Sequence, residues 1–127
     1  MNLIEIGKKY PSSKNISGFI QLYEKYFSSL KNSKINILEI GVEGGDSLRI
    51  WREYFTNANI CGIDIDKKDF KIDNTEILQG DQSDKNFLKT LIDKYKNFDI
   101  IIDDGSHQAK HIICLLYTSD AADDIPR

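Results

Sequence analysis

The sequence is short of cysteine and proline and has no large excess of either charge. Each shortage removes a class of protein. Two cysteines, Cys61 and Cys114, build neither a disulfide framework nor a metal-ligand motif. They read as reduced thiols of a cytoplasmic protein. Lysine and arginine number 17 against 20 acidic residues, a net charge of −3. That leaves no basic footprint for a nucleic acid and no polybasic patch for a membrane. No apolar run approaches the roughly 18 residues that span a bilayer. The opening Met1-Asn2-Leu3-Ile4-Glu5 lacks the charged-then-apolar layout of a signal peptide. What remains is globular material, 40% hydrophobic and 29% charged over 127 residues, enough for one core.

The chain is organised around Ile35-Asn36-Ile37-Leu38-Glu39-Ile40-Gly41-Val42-Glu43-Gly44-Gly45-Asp46-Ser47-Leu48. An apolar run of strand length ends in an acidic residue, breaks into a glycine-rich turn and enters an amphipathic segment. A first β-strand, a ligand-cradling loop and a first helix of a doubly wound α/β domain follow that grammar.

Upstream, residues 1–15 are polar and turn-rich, and Ile16, Phe19, Ile20, Tyr23, Tyr26, Phe27 and Leu30 recur at helical spacing. They predict a helix over about 17–30, so that 1–34 forms a helical cover segment. Downstream, Leu48, Trp51 and Phe55 share a helical face, and Asn59 to Asp64 reads as a second strand. Lys67 to Asn74 is charged and irregular. Thr75 to Gln79 gives a third strand, followed by Gly80-Asp81. Ser83 or Asp84 caps a helix carrying Phe87, Leu88, Leu91, Ile92 and Tyr95 on one face. Phe98 to Ile102 is a fourth strand, running into Asp103-Asp104-Gly105-Ser106-His107. Apolar strands alternating with helices predict a parallel sheet covered on both faces. Right-handed crossovers line the strand-terminal carboxylates along one edge.

Dinucleotides and S-adenosylmethionine are the two cofactor classes this architecture serves. A dinucleotide fingerprint needs G-x-G-x-x-G, whose second glycine lets the backbone approach a pyrophosphate. Here Glu43 stands at that second glycine position, where a carboxylate would face phosphate, and Glu39 adds negative charge. S-adenosylmethionine carries a sulfonium and an ammonium instead, which acidic residues suit. Glu39, Gly41, Gly45 and Ser47 are the candidates around the loop. Asp64, roughly 20 residues beyond the loop, is placed to accept from ribose hydroxyls; its alternative is a solvated strand-end acid. Asp81, with Gln82 and Ser83, is placed to accept from an adenine amino group; its alternative is a helix-capping cluster.

Together these residues resemble a class I S-adenosylmethionine-dependent methyltransferase with a Rossmann-like fold, and more narrowly the macrocin and mycinamicin sugar O-methyltransferases. The resemblance rests on Leu38-Glu39-Ile40-Gly41-Val42 with Gly44-Gly45, Ser47-Leu48 and Trp51, on Gly62-Ile63-Asp64-Ile65-Asp66, and on Gly80-Asp81-Gln82-Ser83-Asp84. Asp99 to His107, with His111, completes it. It covers about Tyr10 to Ile113. Tyr10, Lys14, Tyr23-Glu24 and Phe27 are similar to the segment that helps close over the cofactor in these enzymes. Pro11-Ser12-Ser13 replaces the family's Gly-Thr-Asp there, and a helix packing its apolar face on the domain fits as well.

The resemblance implies methyl transfer to a sugar hydroxyl of a polysaccharide or glycosylated natural product. It implies His107 as the proton acceptor, its ordinary pKa of about 6.5 suiting neutral pH. It implies Asp104 as one ligand of a Mg²⁺ that binds and acidifies the hydroxyl, and Asp103 facing the methionine part. The other metal carboxylates of the family follow a fifth strand. The acceptor is a small molecule or glycan, without nucleic acid or membrane, and a homo-oligomer is left open.

The last segment has a different character. Cys114-Leu115-Leu116-Tyr117-Thr118-Ser119-Asp120-Ala121-Ala122-Asp123 resembles, codon by codon, a translated adapter of transposase-based sequencing libraries. Residues 114–127 are therefore expected to be non-native, and 35–113 to be an incomplete cofactor-binding domain of about four strands, its fourth strand left as a raw edge. A non-catalytic fragment is the alternative function, and an NAD-dependent oxidoreductase a weaker one that Glu43 disfavours.

Overall fold

The computed structural model describes residues 2–10, 20–103 and 112–118. Helix α1 (Leu3–Gly7) comes first, then α2 (Ile20–Phe27) and a 3₁₀ turn at Ser28–Leu30. Strand β1 (Asn36–Ile40), helix α3 (Asp46–Tyr54) and strands β2 (Asn59–Asp64) and β3 (Thr75–Gln79) follow. Helix α4 (Lys85–Tyr95) and strands β4 (Asn97–Asp103) and β5 (Ile112–Thr118) complete the described chain. The sheet order is β3-β2-β1-β4-β5. β1 pairs in parallel with both β2 and β4, so strand order reverses beside it, and β2 pairs in parallel with β3.

The sheet separates two cores, and neighbouring residues of β1 and β2 point to opposite ones. Ile37, Ile60, Ile100 and Ile102 join Leu48, Trp51, Phe55, Tyr23, Phe27, Leu3 and Ile6 on one face. Leu38, Cys61 and Ile63 join Leu91 and Phe98 on the other. The first core is aromatic where α2 meets α3: Tyr23 stacks on Phe27 at 5.6 Å, and Trp51 stands edge-on to both. That is the helix-on-domain alternative for the upstream segment, since Tyr23 and Phe27 are buried in the core. Tyr10 is held elsewhere, its hydroxyl donating to Glu53 at 2.8 Å. Lys14 lies outside the described residues.

At the opposite edge from the glycine loop, Asn36 ties three strands. Its N–H donates to Asp99, and its side-chain amide donates to the carbonyls of Tyr95 and Asn97. Its side-chain Oδ1 accepts from the Asn59 side-chain amide. This polar knot fixes β1, β2 and β4 at one end, so their other ends can carry a loop-built site.

One expectation needs correction and another needs its range stated. The polar stretch at the start contains α1, held by a capping box in which Asn2 and Glu5 satisfy each other's N–H groups. Its Leu3 and Ile6 are buried, an apolar pair at helical spacing too short to stand out from its polar setting. The second point concerns β4: the raw edge is an expectation for residues 35–113 alone, and in the 127-residue chain the tail covers it. Ile112–Thr118 pairs antiparallel with it, from Asn97 opposite Thr118 to Asp103 opposite Ile112. The run Ile112-Ile113-Cys114-Leu115-Leu116-Tyr117 has strand composition, and an unpaired edge offers it a row of N–H and C=O partners. The four expected parallel strands stand otherwise as read.

Candidate functional site

A cleft of about 270 Å³ opens at the carboxyl ends of β1, β2 and β3. It is lined by Gly41 and Glu43 of the glycine loop, by Asp64, Asp66 and Lys68 after β2, and by Asp81 and Gln82 after β3, among others. Doubly wound sheets hold ligands at this edge, where strand order reverses.

Asp64 sits at the centre. Its Oδ2 accepts from the N–H of Val42 at 2.8 Å and of Glu43 at 3.2 Å. Its Oδ1 accepts from the N–H of Asp66 at 2.9 Å, and the Lys68 ammonium lies 3.4 Å from Oδ2. Burial pushes the Asp64 pKa up, but the N–H groups of Asp66, Val42 and Glu43, with Lys68, outweigh it. The carboxyl is held below its ordinary value. The strand-end acid is thus the pin of the glycine loop. Glu43 takes a left-handed backbone, φ 49°, which points its N–H at Asp64.

Gly45 precedes α3 with φ 87°, a conformation that L side chains rarely adopt. A Cβ there would meet the Phe70 ring at 2.6 Å. The Arg49 guanidinium lies over the Phe70 ring, 5.2 Å from its centroid, and donates to the Gly44 carbonyl at 2.8 Å. Phe70 belongs to the irregular connection from β2 to β3, so that connection braces the loop.

Glu39 and Ser47 meet each other beneath the loop. Ser47 Oγ donates to Glu39 Oε1 at 2.5 Å, and the Trp51 indole donates to the same oxygen at 3.4 Å. Glu39 is fully buried, and neither residue lines the cleft. Their pairing locks the end of β1 to the start of α3. Asp81 is exposed in the cleft mouth, where the N–H and hydroxyl of Ser83 bond its Oδ1 and lower its pKa. Asp84, not Ser83, caps α4 by accepting from Asn86 and Phe87. Asp103 ends β4 opposite Ile40. Asp104, His107 and His111 lie outside the described residues. Among the described residues no three His, Cys, Asp or Glu side chains converge as a metal site.

Sequence reasoning missed Lys68, Phe70 and Arg49. Phe70 had one signal, an aromatic residue inside a charged stretch. Lys68 had none, because its reach to Asp64 depends on how the connection after β2 folds.

The donor set suits a cofactor without phosphate. Backbone N–H groups of the loop are already spent on Asp64, and Glu43, Asp64, Asp66 and Asp81 give the cleft an acidic lining. Four parallel strands in the order β3-β2-β1-β4, with a glycine loop after β1 and an acid ending β2, match the Rossmann-like fold of class I methyltransferases.

Comparison with known proteins narrows this. The chain is 41% identical over 101 residues to the 8-demethyl-8-(2-methoxy-alpha-L-rhamnosyl)-tetracenomycin-C 3'-O-methyltransferase of Streptomyces olivaceus, covering 73% of this chain and 26% of that protein. It is 37% identical over 122 residues to the mycinamicin VI 2''-O-methyltransferase of Micromonospora griseorubida, covering 87% and 30%. Among solved structures, the MycE methyltransferase of mycinamycin biosynthesis, in complex with Mg, SAH and mycinamycin VI, superposes with a TM-score of 0.76. That match has 36% identity and covers 84% of this chain and 32% of MycE. No protein-family model matches the chain. By sequence and fold the chain is a homologue of the sugar O-methyltransferases of glycosylated natural products. It spans between about a quarter and a third of their length.

Proposed function

We propose that the protein is an S-adenosylmethionine-dependent sugar O-methyltransferase and that the described cleft is its cofactor seat. The acidic lining of the cleft by Glu43, Asp64, Asp66 and Asp81 carries this reading. A pyrophosphate would meet those carboxylates unfavourably, whereas a sulfonium and an ammonium are attracted to them. Asp64 would accept from the ribose hydroxyls, and Asp81 with Gln82 from the adenine edge. Gly41 and Gly45 shape the loop around the cofactor, and Asp103 faces its amino-acid end. Glu39 and Ser47 act on the cofactor through the loop they anchor. When bound, the cofactor supplies an activated methyl group. This chain orients it and keeps its charge paired.

For the acceptor side, His107 would take the hydroxyl proton and Asp104 would contribute one oxygen ligand to a Mg²⁺ site, the roles that the resemblance gives those positions. The acceptor is a glycosylated small molecule, the class named for both bacterial relatives. No helix of the described residues is long and apolar enough to cross a membrane, and we place the protein in the cytoplasm. A second reading, a cofactor-binding piece without turnover, is favoured by the share of its relatives that this chain spans.

Titration calorimetry of the 127-residue chain with S-adenosylhomocysteine, NAD⁺ and NADP⁺ tests the cofactor assignment. Saturable binding of S-adenosylhomocysteine alone is the expected result. Preference for a dinucleotide would reject it.

A further inference from the structure

Among the described residues lining the cleft, Lys68 is the one cation, set among Glu43, Asp64, Asp66 and Asp81. It is not a loose surface lysine. Its ammonium is 3.4 Å from Asp64 Oδ2, and its side chain is only 17% exposed. Its charge is therefore fixed at the cleft wall. Lys67 and Lys71 line the neighbouring cavity between the β2–β3 connection and β3, which shares Lys68 with this cleft.

Resting on the cofactor assignment above, we infer that Lys68 is a specificity-determining residue that limits how strongly the cleft prefers the methyl donor over the spent product. The two ligands differ chemically by one methyl group and electrically by one charge. S-Adenosylmethionine carries a sulfonium, an ammonium and a carboxylate, a net +1. S-Adenosylhomocysteine has lost the sulfonium and is a neutral zwitterion. Both present the same ribose, adenine and amino-acid groups, so contacts to those groups do not separate them. A fixed charge in the cleft acts on the difference alone. The acidic side chains favour the donor, and Lys68 cancels part of that preference while holding Asp64 in place.

The test is the ratio of dissociation constants for the two ligands, measured by calorimetry on the 127-residue chain and on Lys68→Met, Lys68→Arg and Lys68→Glu. Removing one solvent-screened charge from the cleft wall is worth about a two- to fivefold change. The ratio Kd(S-adenosylhomocysteine)/Kd(S-adenosylmethionine) should rise by about that factor in Lys68→Met. It should rise further in Lys68→Glu and stay at the wild-type value in Lys68→Arg. Added salt should shrink the differences. A purely structural role would weaken both ligands alike and leave the ratio unchanged in every variant, and that result overturns the inference. Wild-type protein that binds neither ligand overturns the cofactor assignment itself, and this inference with it.

Discussion

Asp64 joins three backbone N–H groups and a lysine, so its ionisation is coupled to the shape of the glycine loop. Its pKa is depressed in the folded chain, so its contribution to stability is present above the unfolded value near 3.8. That contribution is lost as pH falls through the lower folded value. Glu76 and Asp81 are depressed as well, so wild-type behaviour alone does not isolate Asp64. Asp64→Asn removes the titrating group. Thermal melts between pH 6 and pH 2.5 should show a steeper loss below about pH 4 in wild type than in Asp64→Asn. Parallel curves would mean that Asp64 is not coupled to folding. Gly45 offers a second test beside it. Gly45→Ala combines an unfavourable φ with a Cβ driven into Phe70, and should cost about 1–3 kcal/mol in urea denaturation. In a Phe70→Ala background the ring clash is gone, leaving the φ cost and the milder approach to Arg49 Nη1 at 3.1 Å. The effect of Gly45→Ala should shrink there, and an unchanged effect would discard the contact.

Elements were legible where one residue pattern decides the outcome. β1 to β4 are apolar runs with acids or glycine at their ends, and each falls within a residue of its expected bounds. The acids at the cleft were legible for the same reason, since parallel strands deliver their last residues to one edge. Contacts between distant segments were not. Glu39 reads as a cleft acid because it ends a strand, yet the inward face of β1 delivers it to Ser47 and Trp51. Arg52 is a similar case. It looks like a solvated helix residue, but its guanidinium donates to the carbonyls of Phe55, Ala58 and Asn74. It thereby closes the end of α3 and ties it to the turn before β2 and to the β2–β3 connection. Arg52→Ala leaves those carbonyls without their charged donor and should cost roughly 1–3 kcal/mol. Arg52→Lys keeps the charge but not the planar fork, so it should recover less than half. Full recovery by lysine would show that charge, not geometry, closes the helix.

At the scale of the molecule, the sheet is fastened at one end by Asn36 and left open at the other for a ligand. Both of its faces are covered, and β5 seals the flank of β4. β5 contains Cys114 to Thr118, the residues that resemble a translated adapter. An independent read of the coding locus should therefore leave this frame after Ile113. The resemblance to sugar O-methyltransferases predicts that it continues into a parallel strand ending in an acidic pair. A read returning Cys114 to Arg127 unchanged would instead make β5 native. Either way the antiparallel strand has a physical consequence in the chain as it stands. β4 carries Phe98, Ile100 and Ile102 into both cores, and β5 supplies the backbone partners along its outer side. Deleting residues 114–127 strips most of those partners from a long apolar strand. The shortened chain should melt several degrees lower, on the order of 1–2 kcal/mol of lost stability for a domain this size. It should also self-associate with rising concentration in sedimentation velocity. A shortened chain as stable and as monomeric as the parent would show that the sheet is complete at β4.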